Sequence, residues 1–487
     1  MGTVHEFRVQ RKGEAAEADQ ELARALRIAV DSRVGSGASF EEREVAALEL
    51  TNEATRLFLL DDLMAITNGH GEQVEVDGVI YQRHEPGTVR YYTLCGALDI
   101  ERWTYREVGV RNGPTIVPME LEAGLVEHST PALGFRIALG YAKDHMRSCE
   151  EDMKADRRCP PSRSTLERIA KAIGTEARRA APRIVPRLRR AEVVPQGAVA
   201  ISIGLDRTSV PMEEDIPAGE APSSRRKKRK RAYERMKPEP VNVNYRMAYV
   251  GTATFHSADG EELGTRVYTA AGHESPTEQI VGPLMADIGN ALRQAPDLAV
   301  GVVQDGAPEM WNLLTPAIVA QPLVTKHYEA IDRFHVNERL SEVLECVEPD
   351  VAARGGQLSR WNESLDRNDN AIYRIREYVR DKYADAMARD ERTLLEHLEP
   401  HMTYLENNAH RMRYASLREA GLPVGSGVTE GACKSAIGVR TNSGGQRWRP
   451  EGLEAVLMLR SVHRSDRLPR FWAGLSRTYR KQVSQCA

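Results

Sequence analysis

Two apolar runs that each end on an aspartate constrain this chain more than any other feature. Residues 197–206 read GAVAISIGLD, and residues 298–307 read LAVGVVQDGA with Asp305 just past the apolar stretch. An apolar run of this length without polar alternation is the profile of a strand covered on both faces, as inside a sheet flanked by helices. Between the two, VNYRMAYVGTATFHSADGEELGTRVYTAAG predicts a hairpin turning at Asp259-Gly260, and PTEQIVGPLMADIGNALRQA predicts a helix. After the second run, MWNLLTPAIVA predicts a helix, and HYEAIDRFHVNERLSEVLECV a short strand entering a helix. The stretch directly after Asp206 reads as a polar, basic excursion outside the sheet.

The resulting order is β, β-hairpin, α, β, α, β, α. That is a ribonuclease H-like layout, an α/β core with a mixed sheet flanked by helices and acids at the strand ends. Its first part spans 196–348. Residues 349–420 are helical in pattern and strongly charged, which predicts an all-α insertion whose deletion need not unfold the sheet. Residues 421–487 then return as the last core helices with a basic C-terminal tail. Ahead of the core, 1–71 carry apolar residues at spacings of three and four and predict helices. Residues 72–128 alternate and are rich in β-branched and aromatic side chains, predicting a small antiparallel sheet. Residues 129–195 predict helices: Thr130 and Pro131 fit an N-cap and first helical position, and Ser164 with Glu167 fits a capping box. The Pro160-Pro161 turn before a helix carrying Arg163, Arg168 and Lys171 suits a helix-turn-helix-like DNA-binding region, although many helical pairs share this pattern.

Composition narrows the class. The 487 residues, enough for two to four domains, are 41% hydrophobic and 28% charged with a net charge of −3, which suits a globular protein and excludes a disordered or collagen-like chain. Six cysteines without a C-x-x-C pair read as reduced and intracellular. No apolar run nears the ~20 residues of a membrane span, and MGTVHEFRVQRKGEAAEAD lacks the apolar centre of a signal peptide. The expectation is a cytoplasmic protein without a membrane partner. The small net charge hides three basic segments. From Lys434 to Ala487 eleven Lys or Arg stand against three acids, from Pro161 to Arg190 nine against two, and Arg225–Arg231 is basic at every position. Such segments suit a polyanion, and equally suit solvated faces.

Strand-end aspartates joined by a helical glutamate offer an all-oxygen donor set suited to Mg²⁺ or Mn²⁺. Two such ions can serve phosphodiester hydrolysis and transfer without a His or Lys base. Pattern alone leaves alternatives open. Asp305-Gly306 is also a turn dipeptide, and Glu430 is not separable from Glu419 or Glu451. His335, following Asp332 in an Asp-x-x-His pair, reads either as a site residue near the phosphate or as a capping histidine. Lys434, one turn beyond Glu430, and Arg440 read as phosphate contacts or as ion-pair partners of the acids. Arg447 and Trp448 read as a base-stacking pair or as a core tryptophan with its neighbour.

The chain resembles the bacterial insertion-sequence DDE transposases of the ISKra type. The residues that carry the resemblance are GLDRTSVP around Asp206, VVQDGAPEMWN around Asp305, IDRFHVNERL at 331–340, and YASLREAGLPVGSGVTEGACKSAIGVRTNSGGQRW ending at Trp448. The last is long and specific, with a Gly-Ser-Gly-x-x-Glu-x-x-Cys-Lys core and a downstream Ser443-Gly444 and Arg447-Trp448. The resemblance implies that Glu430 completes the triad, so that Asp206, Asp305 and Glu430 bind two Mg²⁺ ions, for which Mn²⁺ can substitute. It implies a transposase that binds the terminal inverted repeats of a mobile element, cleaves the ends and joins the 3′-hydroxyl to target DNA. Double-stranded DNA, a homodimer or higher oligomer on that DNA, and association with the nucleoid follow as expectations. Arg163, Arg168, Lys171, Lys434, Arg440, Arg447, Trp448 and Arg449 are the DNA-binding candidates, and His335 joins the catalytic ones. The competing readings are a transposase-derived DNA-binding protein and a structure-selective nuclease without strand transfer. Relatives carry a small cysteine-bearing zinc motif near the N-terminal sheet, where this chain has Cys95 alone.

Overall fold

The structure, a computed structural model, describes residues 14–35, 37–215, 241–442 and 445–486. The basic run Arg225–Arg231 and the Ser443-Gly444 pair lie outside the described residues. The chain is mixed α/β with two five-stranded sheets. It divides into two compact units, one of residues 1–173 with 473–487 and the other of residues 174–472. Among the described residues no helix is long and apolar enough to cross a membrane.

In the first unit, α1 (Glu14–Val34) and α2 (Phe40–Gly69) form a helical pair, α2 opening on a Ser39 capping box with Glu42. The strands β1 (Gln73–Val76), β2 (Val79–Thr93), β3 (Gly96–Glu107) and β4 (Thr115–Ile116) follow as an antiparallel meander. Alternation decides which face is buried: Tyr91, Leu98 and Ile100 pack with Leu63 of α2 and with Met119 of α3 (Pro118–Ala123). A short C-terminal strand, Val483–Gln485, adds to the free edge of β1. Residues 473–487 therefore group with this sheet and not, as the sequence suggests, with the core, because the strand pairs with the edge of β1 that β2 leaves open. Then come α4 (Pro131–Lys143), capped at Thr130 with Pro131 first in the helix, α5 (Met146–Ala155) and α6 (Arg163–Ala191). The helix α6 starts one residue before the expected capping box. Leu166 N–H already donates to the Ser162 carbonyl at 2.9 Å, so Ser162 rather than Ser164 stands at the cap.

The second unit is built on β5 (Ala200–Asp215), β6 (Val241–His256) and β7 (Glu262–Ala270), with α7 (Gly282–Gln294) between them and β8 (Ala299–Gln304). The helix α8 (Pro308–Val319) leads to β9 (Tyr328–Ile331), and α9 (Arg333–Val347) follows. The sheet order is β7-β6-β5-β8-β9, antiparallel across the first three strands and parallel across the last three. The first nine residues after Asp206 do not leave the sheet, and 216–240 lie outside the described residues. These nine continue β5, pairing with β6 to Asp215↔Val241, because Val210 and Met212 bury at alternate positions and Glu214 is held by Arg246 and Asn244.

Helices α10 (Val351–Arg367), α11 (Ala371–Ala388), α12 (Arg392–Asn408) and α13 (Tyr414–Glu419) occupy the predicted insertion. They do not form a separate core. Trp361, Leu365, Ile372, Leu398 and Leu405 belong to one buried cluster with Ile201, Ile203 and Val302 of the sheet. The same cluster includes Leu284 and Ile288 of α7, Trp311 and Leu314 of α8 and Leu340 of α9, so the sheet face has cover of its own and the insertion packs onto it mainly through α9. On the other face Ala200, Val303 and Ala330 pack against Leu417 and Leu422. The helix α14 (Gly427–Ala432) widens to i+5 turns over Cys433–Gly438 before α15 (Val439–Thr441), and α16 (Pro450–Arg464) and α17 (Leu468–Tyr479) close the chain's helices.

Candidate active site

Strand register sets the two aspartates side by side. The parallel ladder of β5 and β8 pairs Ala200 with Ala299 and Ile203 with Val302, an offset of 99 residues. Asp206 and Asp305 are separated by the same 99. They therefore stand at one height on neighbouring strands, just beyond the last paired residues. Side chains alternate along a strand, so Asp206 shares a face with Ala200, and Asp305 with Val303, the face opposite the large core cluster. Asp206 lies within β5 and not at its end; what ends there is the pairing with β8.

Glu430 is brought to the same face by a close approach of α14. A Cβ on Gly204, two residues before Asp206, would collide with Thr429 and stand 2.7 Å from the Val303 carbonyl. Only glycine leaves that space, and Thr429 uses it to hydrogen-bond Thr252 of β6 at 2.7 Å. Glu430 follows directly, on a helix whose i+5 turns at Cys433–Gly438 are a wide-turn insertion of the kind common at functional sites.

Asp206, Asp305, His335, Glu430, Cys433 and Lys434 line one cleft of about 400 Å³. Burial holds the Asp206 carboxyl above the usual range, and the charges of Asp305 and Glu430 raise it further, against the Arg207 backbone N–H at 2.7 Å and the Cys433 thiol, which both donate to it. The Cys433 thiol is pushed up to about 12 by burial first and by Asp206 second. The adjacent Arg207 offers Asp206 no charge, since its guanidinium pairs with Glu309, which also accepts from Tyr249 at 2.7 Å. Asp305 does fill a turn role, accepting from Ala307 N–H at 3.0 Å, while Trp311 donates to its carbonyl at 2.9 Å. The turn and the cleft readings of this residue are compatible. Glu430 accepts from Ser426 Oγ at 2.9 Å and lies 3.7 Å from His335 Nε2, both side chains being 40% exposed. His335 is not a cap. Asp332 caps α9, and His335 sits one turn in, between Glu430 and Glu338.

The donor set fits hard divalent cations. Three carboxylates line one cleft, Asp206 is half-buried with its charge disfavoured, and carboxylate oxygens are what such ions prefer. Among the described residues no three His, Cys, Asp or Glu side chains are already gathered tightly enough to hold an ion.

The other candidates divide. Lys434 is exposed on the cleft wall. Arg440 is 8% exposed, its guanidinium 4.7 Å from the Trp448 ring and donating to Gln446 at 3.0 Å, so it supports the indole and does not present a free charge. Trp448 is equally buried. Its backbone N–H donates to the Pro211 carbonyl at 3.0 Å and its carbonyl accepts from the Glu213 N–H at 2.7 Å, which makes it a bridge to the outer arm of β5, while its ring N–H donates to the Thr441 carbonyl. Burial favours the core reading of this tryptophan over base stacking. Arg447 is exposed, and Arg449 is 56% exposed near Glu213 and Asp215. In the first unit Arg163 and Lys171 are exposed on α6, and Arg168 pairs with Glu127.

Sequence reasoning did not place Ser426, Cys433 or Gly204 in the site. The Gly-Ser-Gly spacing before Glu430 was the available signal for the first. Cys433 sits three residues past Glu430 in a helix, a pattern many buried cysteines share. No protein-family model matches the chain, and no curated protein matches it.

Proposed function

We propose that residues 174–472 form a ribonuclease H-like core for phosphoryl transfer, and that the chain is a DDE transposase that cleaves the ends of a mobile DNA element and joins them to target DNA. The observation that carries the reading is the equal 99-residue offset, which puts Asp206 and Asp305 at one height with Glu430 docked onto their face. The sheet order, three antiparallel strands followed by two parallel additions, and the helices after β9 support the fold assignment. Asp206, Asp305 and Glu430 would hold two Mg²⁺ ions, or Mn²⁺ in their place. When bound, such ions lower the pKa of an attacking water or 3′-hydroxyl and stabilise the leaving oxygen.

The chain's own residues do the rest. Arg207 N–H and the Cys433 thiol fix the direction of the Asp206 carboxylate. Ser426 and His335 orient Glu430. Lys434 on the cleft wall, and Arg447 and Arg449 on the surface, are suited to backbone phosphates, contacts that position DNA without reading it. The exposed Arg163 and Lys171 on α6 suit the first unit to the element's terminal inverted repeats. Assembly as a homodimer or higher oligomer on double-stranded DNA, at the nucleoid, belongs to the same proposal.

The test is incubation with a supercoiled plasmid carrying the DNA that flanks the gene, in Mg²⁺. Wild-type protein should nick at the element ends and give joined products, and Asp206→Asn should give neither while still binding DNA. Equal products from both proteins would overturn the reading. Cleavage without joining would convert it to a nuclease.

A further inference from the structure

We infer that Asp332 and Ser426 are positioning residues that set the Glu430 carboxylate before a cation arrives, an inference that rests on the cation-binding reading of the cleft. Register again provides the first argument. The β8–β9 ladder pairs Gly301 with Tyr328 and Gln304 with Ile331, an offset of 27 residues, and Asp305 and Asp332 are separated by the same 27. Three aspartates thus occupy one height on three adjacent strands. Asp206 and Asp305 line the cleft, whereas Asp332 is 4% exposed and lies behind it.

Both Asp332 oxygens are committed to the protein. Oδ1 accepts from Phe334 N–H at 2.6 Å, at the start of the helix that carries His335. Oδ2 accepts from the Ser426 backbone N–H and from the Ser426 hydroxyl at 2.8 Å, at the start of the helix that carries Glu430. The Asp332 N–H in turn donates to the carbonyl of Gln304, the residue before Asp305, at 2.9 Å. One buried aspartate therefore ties together the three segments that carry Asp305, His335 and Glu430, the first through its backbone N–H and the others through its carboxylate. A cation ligand needs free lone pairs facing the cleft, and Asp332 has turned its own inward.

Ser426 passes this order on. Its hydroxyl has one proton and two carboxylate neighbours, Asp332 Oδ2 at 2.8 Å and Glu430 Oε1 at 2.9 Å. The Ser426 backbone N–H holds the residue on Asp332 by itself, so the one hydroxyl proton is able to turn to Glu430. Gly425 completes the arrangement, since a Cβ there would stand 3.3 Å from Asp332 Oδ2. Capping α9 requires one acceptor oxygen only. The second oxygen, spent on Ser426, is what a cap does not explain.

Asp332→Asn separates the two roles. Its amide oxygen can still cap Phe334, but its NH₂ group meets the Ser426 N–H donor to donor. The measurements are Mn²⁺ affinity of the full chain by titration calorimetry, its melting temperature without cation, and DNA binding in EDTA. Asp332→Asn should weaken Mn²⁺ binding by roughly 10–100-fold, and Ser426→Ala by about 10-fold, the range for residues that orient ligands from behind. Ser426→Thr, which keeps the hydroxyl, should stay close to wild type. DNA affinity in EDTA should not change in any of them. Should Asp332→Asn fail to fold, the Ser426→Ala and Ser426→Thr pair decides alone. Wild-type Mn²⁺ affinity in both Asp332→Asn and Ser426→Ala overturns the inference. If wild-type protein binds no Mn²⁺, or Asp206→Asn and Glu430→Gln bind it unchanged, the cation-binding reading itself has failed.

Discussion

Among the described residues of 174–472, the charges around Arg467 and those in the cleft around Asp206 are built on opposite principles. Around Arg467, which is 3% exposed, all four carboxylate oxygens of Glu192 and Asp287 accept from a donor. Arg467 donates to Glu192 at 2.8 and 2.7 Å and to Tyr268 Oη at 2.6 Å, Tyr268 donates to Asp287 at 2.6 Å, and Arg189 reaches the other Asp287 oxygen at 2.6 Å. Burial alone would raise Glu192, but the hydrogen bonds and charges of Arg467 and Arg266 hold it below the ordinary carboxylate value. In the cleft the balance is reversed: Asp206 is held up by burial and by two further carboxylates. Matched buried charge fixes a structure, whereas unmatched buried charge is a standing demand for a ligand of opposite sign. The contrast separates the candidate site from scaffold using partners alone.

The largest effect expected from that contrast is on activity. Asp206→Asn, Asp305→Asn and Glu430→Gln should each reduce DNA cleavage and joining by on the order of 10³-fold or more, with the fold and DNA binding kept. Quantified gel assays on the flanking-DNA plasmid check this, and retention of more than a tenth of wild-type activity by any one of them would remove that acid from the triad. Arg467→Met should do the converse. It leaves Glu192 and Asp287 buried and short of donors, a loss of about 3–5 kcal/mol. Urea unfolding measures it, with activity per folded molecule near wild type. If Arg467→Met instead abolished activity in protein of normal stability, the division into scaffold and site would be wrong. Gly204→Ala comes next, acting where α14 meets β5. It forces Thr429 and its helix away from β5, an overpacking cost of about 1–3 kcal/mol, and Thr429→Ala in the same background, which removes the hydroxyl that the new Cβ strikes, should recover part of the stability.

Much of this was legible in the sequence, for a physical reason. Apolar runs such as GAVAISIGLD announce buried strands because they have no polar face to show water, and the helix–strand alternation after 275 follows from the same periodicity. What was not legible depends on partners far away in the chain. The outer half of β5 looks polar because it ends on Glu213, Glu214 and Asp215, and its strand character comes from pairing with β6. The open choice between surface recognition and core roles for Arg440 and Trp448 closes only once the Trp448 backbone is seen to pair with Pro211 and Glu213 of that same arm and its ring to lie against Arg440. Asp332 could not be told from an ordinary helix cap, because the 27-residue offset has no meaning until β8 and β9 are paired. Pattern identifies the strands; only register identifies which of their acids meet.

The smallest effect is also the one that most directly probes unmatched charge. The folded-state pKa of Asp206 is raised above its unfolded value, so proton binding favours the folded state. Stability linked to this group is fully present below the unfolded value, near pH 3.9, and declines as pH rises through the folded one. At neutral pH, without cation, the ionised carboxylate is therefore a net cost to folding. Asp206→Asn removes that cost and keeps the acceptor oxygen for the Arg207 N–H and the Cys433 thiol. The variant should melt higher than wild type at pH 7 in EDTA by on the order of 1–2 °C, and the gain should vanish below about pH 4. Saturating Mg²⁺ should reverse the order, since a ligand that binds only the folded wild type raises its stability and the variant has lost the site. A paired carboxylate of the Arg467 kind would behave the other way, with Asn destabilising at every pH above its titration and Mg²⁺ changing nothing. Differential scanning calorimetry at these two pH values, with and without the ion, distinguishes the two kinds of buried acid in a single protein.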